Sequence, residues 1–411
     1  MYDVIVVGAR CAGASTAMLL ARRGHRVLVL DRATFPSDTL STHYVQQPAV
    51  ARLRDWGLLG RLVASGCPPI ATYSLDLGGL ALKGWPTPCD GVATAYGPRR
   101  TVLDQILLDA AAAAGAVVRT GVRIDGLEME DGRVTGVRGR IRGGRAVVER
   151  ARMVVGADGL RSMVAEAVRA PVYEDRGTYQ CAYYTYWSGV PTDGFEAYAR
   201  ERRGAAANPT HDGLTCIPVV FPRAEFKQVR ADIEGHYMAA LDMTPLGERV
   251  RGGVREERWF GTGDLPNRFR RPAGPGWALV GDAGLYQDPV TAHGITNAFR
   301  DAELLAEAIG RGLAGEAPMD LALAEYHRRR DDAALPMFEL TCQFASMEPP
   351  PPETLVLLRA LQGNKPAMDR YFGMLAGTFA VEDFLAPDHV AAILAEAGLS
   401  PAPLRGVSQG P

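Results

Sequence analysis

The sequence predicts an α/β fold in which a parallel sheet wound with helices is interleaved with a mostly antiparallel sheet and followed by a helical C-terminal segment. Three observations carry that expectation. The chain begins with Tyr2-Asp3-Val4-Ile5-Val6-Val7, an apolar run without polar alternation, as in a strand buried on both faces of a parallel sheet. Two runs of the same kind return at 153–156 and 277–280, each ending in a Gly-Asp turn. Between them, Tyr179, Cys181, Tyr183, Thr185 and Trp187 alternate with Thr178, Gln180, Ala182, Tyr184 and Tyr186, the two-residue period of an antiparallel strand with aromatics on both faces.

Gly8 follows the first strand and allows a tight turn, and Gly13 lets the next helix pack closely on that strand. The helical pattern covers 14–23 and stops at Gly24, a C-cap, before a second strand at 26–31. Asp31 closes that strand 23 residues after Gly8, where a carboxylate meets a ribose hydroxyl pair. Strand, glycine turn, helix and acid together make a Rossmann-like dinucleotide-binding unit. Arg10 stands where such a turn has its second glycine. Turned inward, its side chain would crowd a pyrophosphate or pair with its charge; turned outward, it would leave the turn open.

The polar segment 32–43 leaves the second strand beside the nucleotide, so its hydroxyls and His43 are within reach of a ligand. A helical stretch follows at 50–62, then short strands rich in Gly and Pro over 68–92, read as an excursion into a second domain. Arg99 and Arg100 open an amphipathic helix that Gly115 ends. Hairpins turn at Asp131-Gly132 and Gly143-Gly144. Past residue 170 come the aromatic strand, further strands at 195–200 and 214–221, and helix near 226–241. One face of the aromatic strand packs on helices and the other is free to line a pocket, for which Tyr183, Tyr184 and Trp187 are the candidates. After Asp282, the run from Asp288-Pro289 to His293-Gly294-Ile295 leads into a long helix whose free first-turn N–H groups would stabilise negative charge on an adjacent ring. Beyond Pro318 the pattern is helical, broken at four prolines from Pro349, with Met368, Tyr371, Phe372, Leu375 and Phe379 as an apolar stripe. The expected division is 1–70, 95–170 and 270–335 for the nucleotide-binding domain, 71–94 and 171–269 for the substrate domain, and 336–411 for the helical segment.

The chain has 411 residues, 47% of them hydrophobic, and a formal charge of −2. That balance gives no argument for nucleic acid. Six dispersed cysteines without a Cys-x-x-Cys pair argue against a metal site or a disulfide framework and fit the cytoplasm. No apolar run reaches the ~18 residues of a membrane span, and the opening core strand leaves no room for a signal peptide. A small-molecule substrate and a monomer or homodimer are expected.

Three motifs in fixed order, Gly8-x-x-x-x-Gly13 with Asp31, Gly156-Ala157-Asp158-Gly159-Leu160-Arg161-Ser162, and Gly281-Asp282-Ala283 followed by Pro289 and Gly294, resemble the class A flavoprotein monooxygenases. That superfamily, with the para-hydroxybenzoate hydroxylase fold, includes flavin-dependent halogenases and geranylgeranyl reductases; the match covers roughly residues 1–330. The resemblance implies FAD, with NAD(P)H as co-substrate. It places Gly8, Ala12 and Gly13 on the pyrophosphate, Asp31 on the adenosine ribose, Val122 beside the adenine and Arg100 on the flavin side. Asp282 falls on the ribityl or pyrophosphate region, Gly294 and Ile295 on the flavin pyrimidine, and Asp158 in a motif tied to FAD and nicotinamide alike. Arg10, Arg32, Thr42, Gly281 and Pro289 complete the cofactor set. Ala292 and His293 depart from the Gly-Gln that the hydroxylases usually show before Gly294.

In such hydroxylases the resemblance implies a flavin C4a-hydroperoxide that passes oxygen to an electron-rich substrate, so no acid-base residue of the protein is obligatory. The sequence shows no triad or carboxylate dyad, and only His43 and His293 stand as catalytic candidates. Hydroxylation of an aromatic or polyketide-like molecule is the expected reaction. Saturation of an alkene is the alternative, because 35–53 resembles geranylgeranyl reductases. Halogenation is less favoured, as Trp-x-Trp-x-Ile-Pro is missing and the only lysines are Lys83, Lys227 and Lys365; a flavin-binding protein without turnover is the non-catalytic reading.

Overall fold

The first sheet, in the computed structural model, which describes residues 1–399, has the order Ala273–Gly274, Trp277–Leu279, Ala146–Gly156, Tyr2–Val7, Val27–Asp31, Val117–Thr120. Four of its five pairings are parallel and the edge pairing of Ala273–Gly274 is antiparallel, with Val4 beside both Met153 and Val27. Because the five parallel strands end at the same side of the sheet, the three glycine-containing turns come together there. The apolar run read at the start of the chain is the central strand, and Val4, Ile5 and Val6 are wholly buried.

Helix Cys11–Arg22 lies over this sheet between Arg100–Ala113 and Gly294–Ala314. Its alanines let the neighbours approach closely: Ala14, Ala17 and Met18 are fully buried in one cluster with Leu103, Leu107, Phe299 and Leu305. The glycines do what the spacing requires. Gly8 has φ +105°, and a Cβ there would fall 2.3 Å from the Ala157 carbonyl oxygen. A Cβ on Gly13 would fall 1.8 Å from the Gly8 carbonyl oxygen.

Strand Ala146–Gly156 serves two sheets. Its first half pairs antiparallel with Arg133–Ile141, which returns to Val122–Glu130 through the expected Asp131-Gly132 turn, and its second half enters the parallel sheet. The second large sheet has the order Val254–Arg255, Gln180–Ser188, Thr215–Pro222, Arg203–Pro209, Phe195–Arg200, Tyr73–Asp76, Ala81–Gly84, antiparallel except where Phe195–Arg200 lies beside Tyr73–Asp76. The middle strand Arg203–Pro209, Arg-Gly-Ala-Ala-Ala-Asn-Pro, escapes a sequence reading because Gly, Ala, Asn and Pro are all poor strand formers.

Helix Met319–Ala345 runs unbroken through position 336, where the sequence suggested the start of a separate helical segment. The break comes later, at the four prolines. Helices Pro352–Ala360, Lys365–Ala376, Val381–Phe384 and Pro387–Glu396 follow, and positions 400–411 of the expected segment lie outside the described residues. Met368, Tyr371 and Phe372 pack with Tyr73 and Leu82 of the second sheet, as an apolar stripe at helical spacing should. Among the described residues no helix is long and apolar enough to cross a membrane.

Gly13→Ala is expected to destabilise the protein by about 3 kcal/mol, since backbone must move to admit the methyl group. An unchanged melting temperature would mean that the helix is not seated on the Gly8 turn.

Candidate functional site

The cofactor end of the site is built from strand ends. Asp31 closes the second strand with both oxygens at work: Oδ2 accepts from the Ala9 N–H and Oδ1 from the Ala33 N–H, each at 2.7 Å. The acid therefore fixes the glycine turn, and each oxygen keeps a lone pair for a hydroxyl. Helix Cys11–Arg22 starts without a side-chain cap or an acid in its first turn, leaving its leading N–H groups for an anion. A diphosphate fits such a start.

Arg10 does not point at that start. Its guanidinium bonds Asp104 Oδ2 at 2.6 Å, the Ser37 carbonyl at 3.2 Å and the Asp38 carbonyl at 2.9 Å, and lies 5.5 Å from the Phe35 ring. Its charge is thus committed to the segment leaving the second strand and does not replace a phosphate-binding glycine. Arg100, one turn before Asp104, donates to Oδ1 from Nε and a terminal nitrogen at 3.1 and 2.9 Å. Asp104 is fully buried and also accepts from the Cys11 thiol at 3.3 Å. Burial is the largest influence on Arg100 and would lower its pKa, but the charge and hydrogen bond of Asp104, with Cys11 and Asp282, together raise the group above its ordinary value. Asp104 was missed in the sequence, although an acid four residues after Arg100, beside Leu103 and Leu107 on the buried face, is the signal that finds it.

At the third strand, Gly281 has φ +60° and would bring a Cβ within 2.8 Å of Ala12 Cβ. Asp282 follows. Its carboxylate faces the interior of a cavity, so it is open to that space yet surrounded by protein, and burial pushes its pKa up to about 6 against the pull of Arg100. It stands as an acceptor aimed where a ribityl chain or a protonated group would lie. Asp288, wholly buried, caps Pro289–Thr291 through Oδ1 to the Val290 N–H at 3.0 Å, while Oδ2 has no partner. Ala292 then takes the left-handed conformation, φ +56°, and helix Gly294–Ala314 begins without a cap or an acid in its first turn. These features suit FAD: two bare helix starts, one carboxylate without a side-chain partner, and an acid at the ribose position.

All of this opens into one continuous cavity of about 2120 Å³. Gly8, Arg10, Ala12, Asp31, Arg32, Thr42, Arg100, Val122, Asp158, Asp282, Pro289, Gly294 and Ile295 line it, with Gly13 and Gly281 beneath the wall. At the far end the second sheet supplies a floor of small side chains, Ala182, Ala197, Ala199, Gly204 and Ala206, flanked by Tyr184, Tyr73 and Phe195. Leu357, Tyr371, Met374, Phe384 and Leu394 of the C-terminal helices face it, and Pro349 to Pro352 form part of the rim. The volume exceeds the ~300–1,000 Å³ of a single small-molecule pocket, leaving a substrate chamber beside a dinucleotide.

Four residues expected in the site, Tyr183, Trp187, His43 and His293, lie off the cavity wall. Tyr183 and Trp187 lie on the other face of their strand from Tyr184, because side chains alternate: Tyr183 stacks on Phe226, and Trp187 donates to the Tyr237 hydroxyl at 3.3 Å within a separate core. His43 is fully buried, shares a short hydrogen bond with the Tyr186 hydroxyl and is absent from the cavity lining. Burial, then Arg100 and Arg99, hold its pKa well below the ordinary value. His293 also stays off the cavity wall and donates from Nε2 to the Leu375 carbonyl at 2.9 Å. Asp158 lines the cavity, but its oxygens accept from the Ser162 hydroxyl at 2.5 Å and the Met163 N–H at 2.7 Å, starting the short helix Met163–Ala167.

Residues 1–341 match a family described as an FAD binding domain. The tryptophan 2-halogenase of Chondromyces crocatus is 26% identical over 341 residues, 79% of this chain; the chain spans 64% of that protein, just under two thirds of its length. The rifampicin monooxygenase of Streptomyces venezuelae is 26% identical over 370 residues, 85% of this chain and 73% of that protein. The digeranylgeranylglycerophospholipid reductase of Methanosarcina mazei is 27% identical over 321 residues, 75% and 74%. In fold, the chain resembles the flavin-dependent brominase Bmp2 with a TM-score of 0.81 at 18% identity, covering 97% of this chain and 99% of that one.

Asp104→Ala leaves the buried Arg100 and the part-buried Arg10 without their carboxylate and is expected to cost about 3 kcal/mol in denaturant unfolding; a loss below about 1 kcal/mol would show that solvent already screens the cluster. For Asp288, burial pushes the pKa up to about 7 from the 3.8 of a free side chain. The native state holds that proton longer, so the penalty is absent below pH ~4, grows as the pH rises and is complete above pH ~7. Asp288→Asn should therefore stabilise the protein at pH 8 by roughly 2–4 kcal/mol and leave it unchanged at pH 4. The same gain at both pH values would contradict this.

Proposed function

We propose that this chain, which belongs to the FAD binding domain family, is an FAD-dependent monooxygenase that hydroxylates an aromatic or polyketide-like small molecule with NAD(P)H as reductant. One observation carries the reading: the cavity joins a dinucleotide cradle to a mostly apolar chamber whose lining, among the described residues, includes neither lysine nor histidine. Such a chamber holds and shields a substrate while leaving the chemistry to the cofactor. When bound, FAD supplies the redox chemistry, accepting electrons from a nicotinamide and delivering them to oxygen.

The protein's own part is positioning. The bare N–H groups at the start of helix Cys11–Arg22 would hold the pyrophosphate, and Asp31 would take the adenosine ribose hydroxyls. Arg100 and Asp282 would serve the middle of the dinucleotide. The backbone of Gly294 and Ile295, at a helix start free of acids, would favour negative charge on the flavin ring. Ala182, Ala197, Ala199 and Ala206 leave depth above the sheet for the substrate, and Tyr184 limits it on one side.

Halogenation through a lysine haloamine finds no support in the chamber. Lys83 pairs with Asp193 and Lys365 with Asp369, both on the surface, and Lys227 lies on helix Phe226–Ala231. Alkene reduction remains the second reading, because the apolar space continues between the C-terminal helices past Met374, Phe384 and Leu394, a path suited to an unsaturated chain.

Purified protein should be yellow, retain FAD and oxidise NAD(P)H with a product heavier by one oxygen atom when aromatic candidates are supplied. Gain of two hydrogens without oxygen consumption would establish the reductase instead. A colourless protein that takes up no FAD would refute both.

A further inference from the structure

The geometry points to His293 as a positioning residue that fixes the substrate-chamber wall, helix Lys365–Ala376, to the start of the helix that faces the flavin. This role rests on the FAD reading above and is separate from catalysis, since the imidazole does not line the cavity.

Three observations converge on it. First, the Leu375 carbonyl is in the last turn of its helix, where carbonyls have no intrahelical partner; the C-cap Gly377 N–H goes instead to Gly373 and Met374. His293 Nε2 is the group that meets the Leu375 carbonyl, at 2.9 Å. Second, space has been left for the ring. Gly377 has φ +74°, and a Cβ there would lie 2.9 Å from His293 Cε1. Third, the two ends of the bond sit at two functional surfaces. Leu375 lines the chamber, while Gly294 and Ile295, next in sequence to His293, line the cofactor end.

The imidazole is suited to a fixed strut. It is 4% exposed, and burial lowers its pKa to about 4, so at neutral pH it is uncharged, with Nε2 carrying the proton that the carbonyl requires. On its other side Ala292 holds a left-handed backbone, φ +56°, which is strained for a residue with a Cβ. A conformation of that kind persists only where its surroundings over-determine it, and the bond to Leu375 is one such restraint. Losing it frees both the turn before the flavin and the wall of the chamber, without removing any group that touches either ligand.

The test uses the FAD-loaded protein with 2-naphthol as an aromatic probe, and compares wild type with His293→Ala, His293→Gln and Gly377→Ala. Wild type should bind 2-naphthol with a change in the visible bands of its flavin. His293→Ala should retain FAD and 2-naphthol with dissociation constants within about threefold of wild type, yet lose or reshape that spectral change. His293→Gln, whose amide still donates to a carbonyl, should recover at least part of it, and Gly377→Ala should reproduce the loss from the opposite side of the contact. The proposal is overturned if the spectral change is the same in His293→Ala as in wild type, if wild type shows none on binding the probe, or if His293→Ala and His293→Gln lose FAD alike. Wild type that takes up no FAD at all would instead remove the functional reading on which it rests.

Discussion

Asp104 carries the electrostatics of the cofactor end. It has no exposure to solvent and faces two guanidinium groups, Arg10 and Arg100, which arrive from the first helix start and from the head of its own helix. A charge buried at that depth is costly unless paired, and the carboxylate between the two guanidinium groups supplies the pairing. One positive charge is left in excess beside the bare helix start, in the place where the pyrophosphate of FAD is proposed to lie. The same three side chains fix the segment after the second strand, because Arg10 also holds the Ser37 and Asp38 carbonyls. The glycine turn, the helix at 100–113 and the 35–38 loop are therefore one assembly.

The parallel sheet was legible because its signals are local and strong: an apolar run, a glycine that must accept positive φ, and an acid at the end of the next strand. The three glycine turns also converge as their order implied. What could not be read was direction. The aromatic strand alternates, so a pocket face was certain to be either the Tyr183 face or the Tyr184 face, and no residue in that strand says which. The choice is made by Phe226 and Tyr237, from helices far along the chain. Arg203–Pro209 was invisible for the opposite reason, as its residues have little strand preference and are held in place by strands on either side.

The histidines illustrate how residue type misleads when contacts are unknown. A buried, neutral imidazole is as good a hydrogen-bonding spacer as it is an acid-base group, and His43 and His293 are both used as spacers, one against Tyr186 and one against Leu375. Asp158 differs from them: its carboxylate starts a short helix and the residue still lines the cavity. With both imidazoles off the wall, Asp282 is a titratable side chain there whose pKa burial moves toward neutrality. That arrangement fits a family in which related scaffolds serve different reactions.

The run Pro349 to Pro352 has an effect beyond stiffness. Four successive residues on the rim lack an N–H, so along this stretch the backbone presents carbonyl oxygens alone. The Pro351 carbonyl is already taken by the Leu355 N–H at 3.2 Å, where helix Pro352–Ala360 begins. A segment without N–H groups cannot donate to a β-ladder, so this part of the cavity wall is no template for the addition of a further strand.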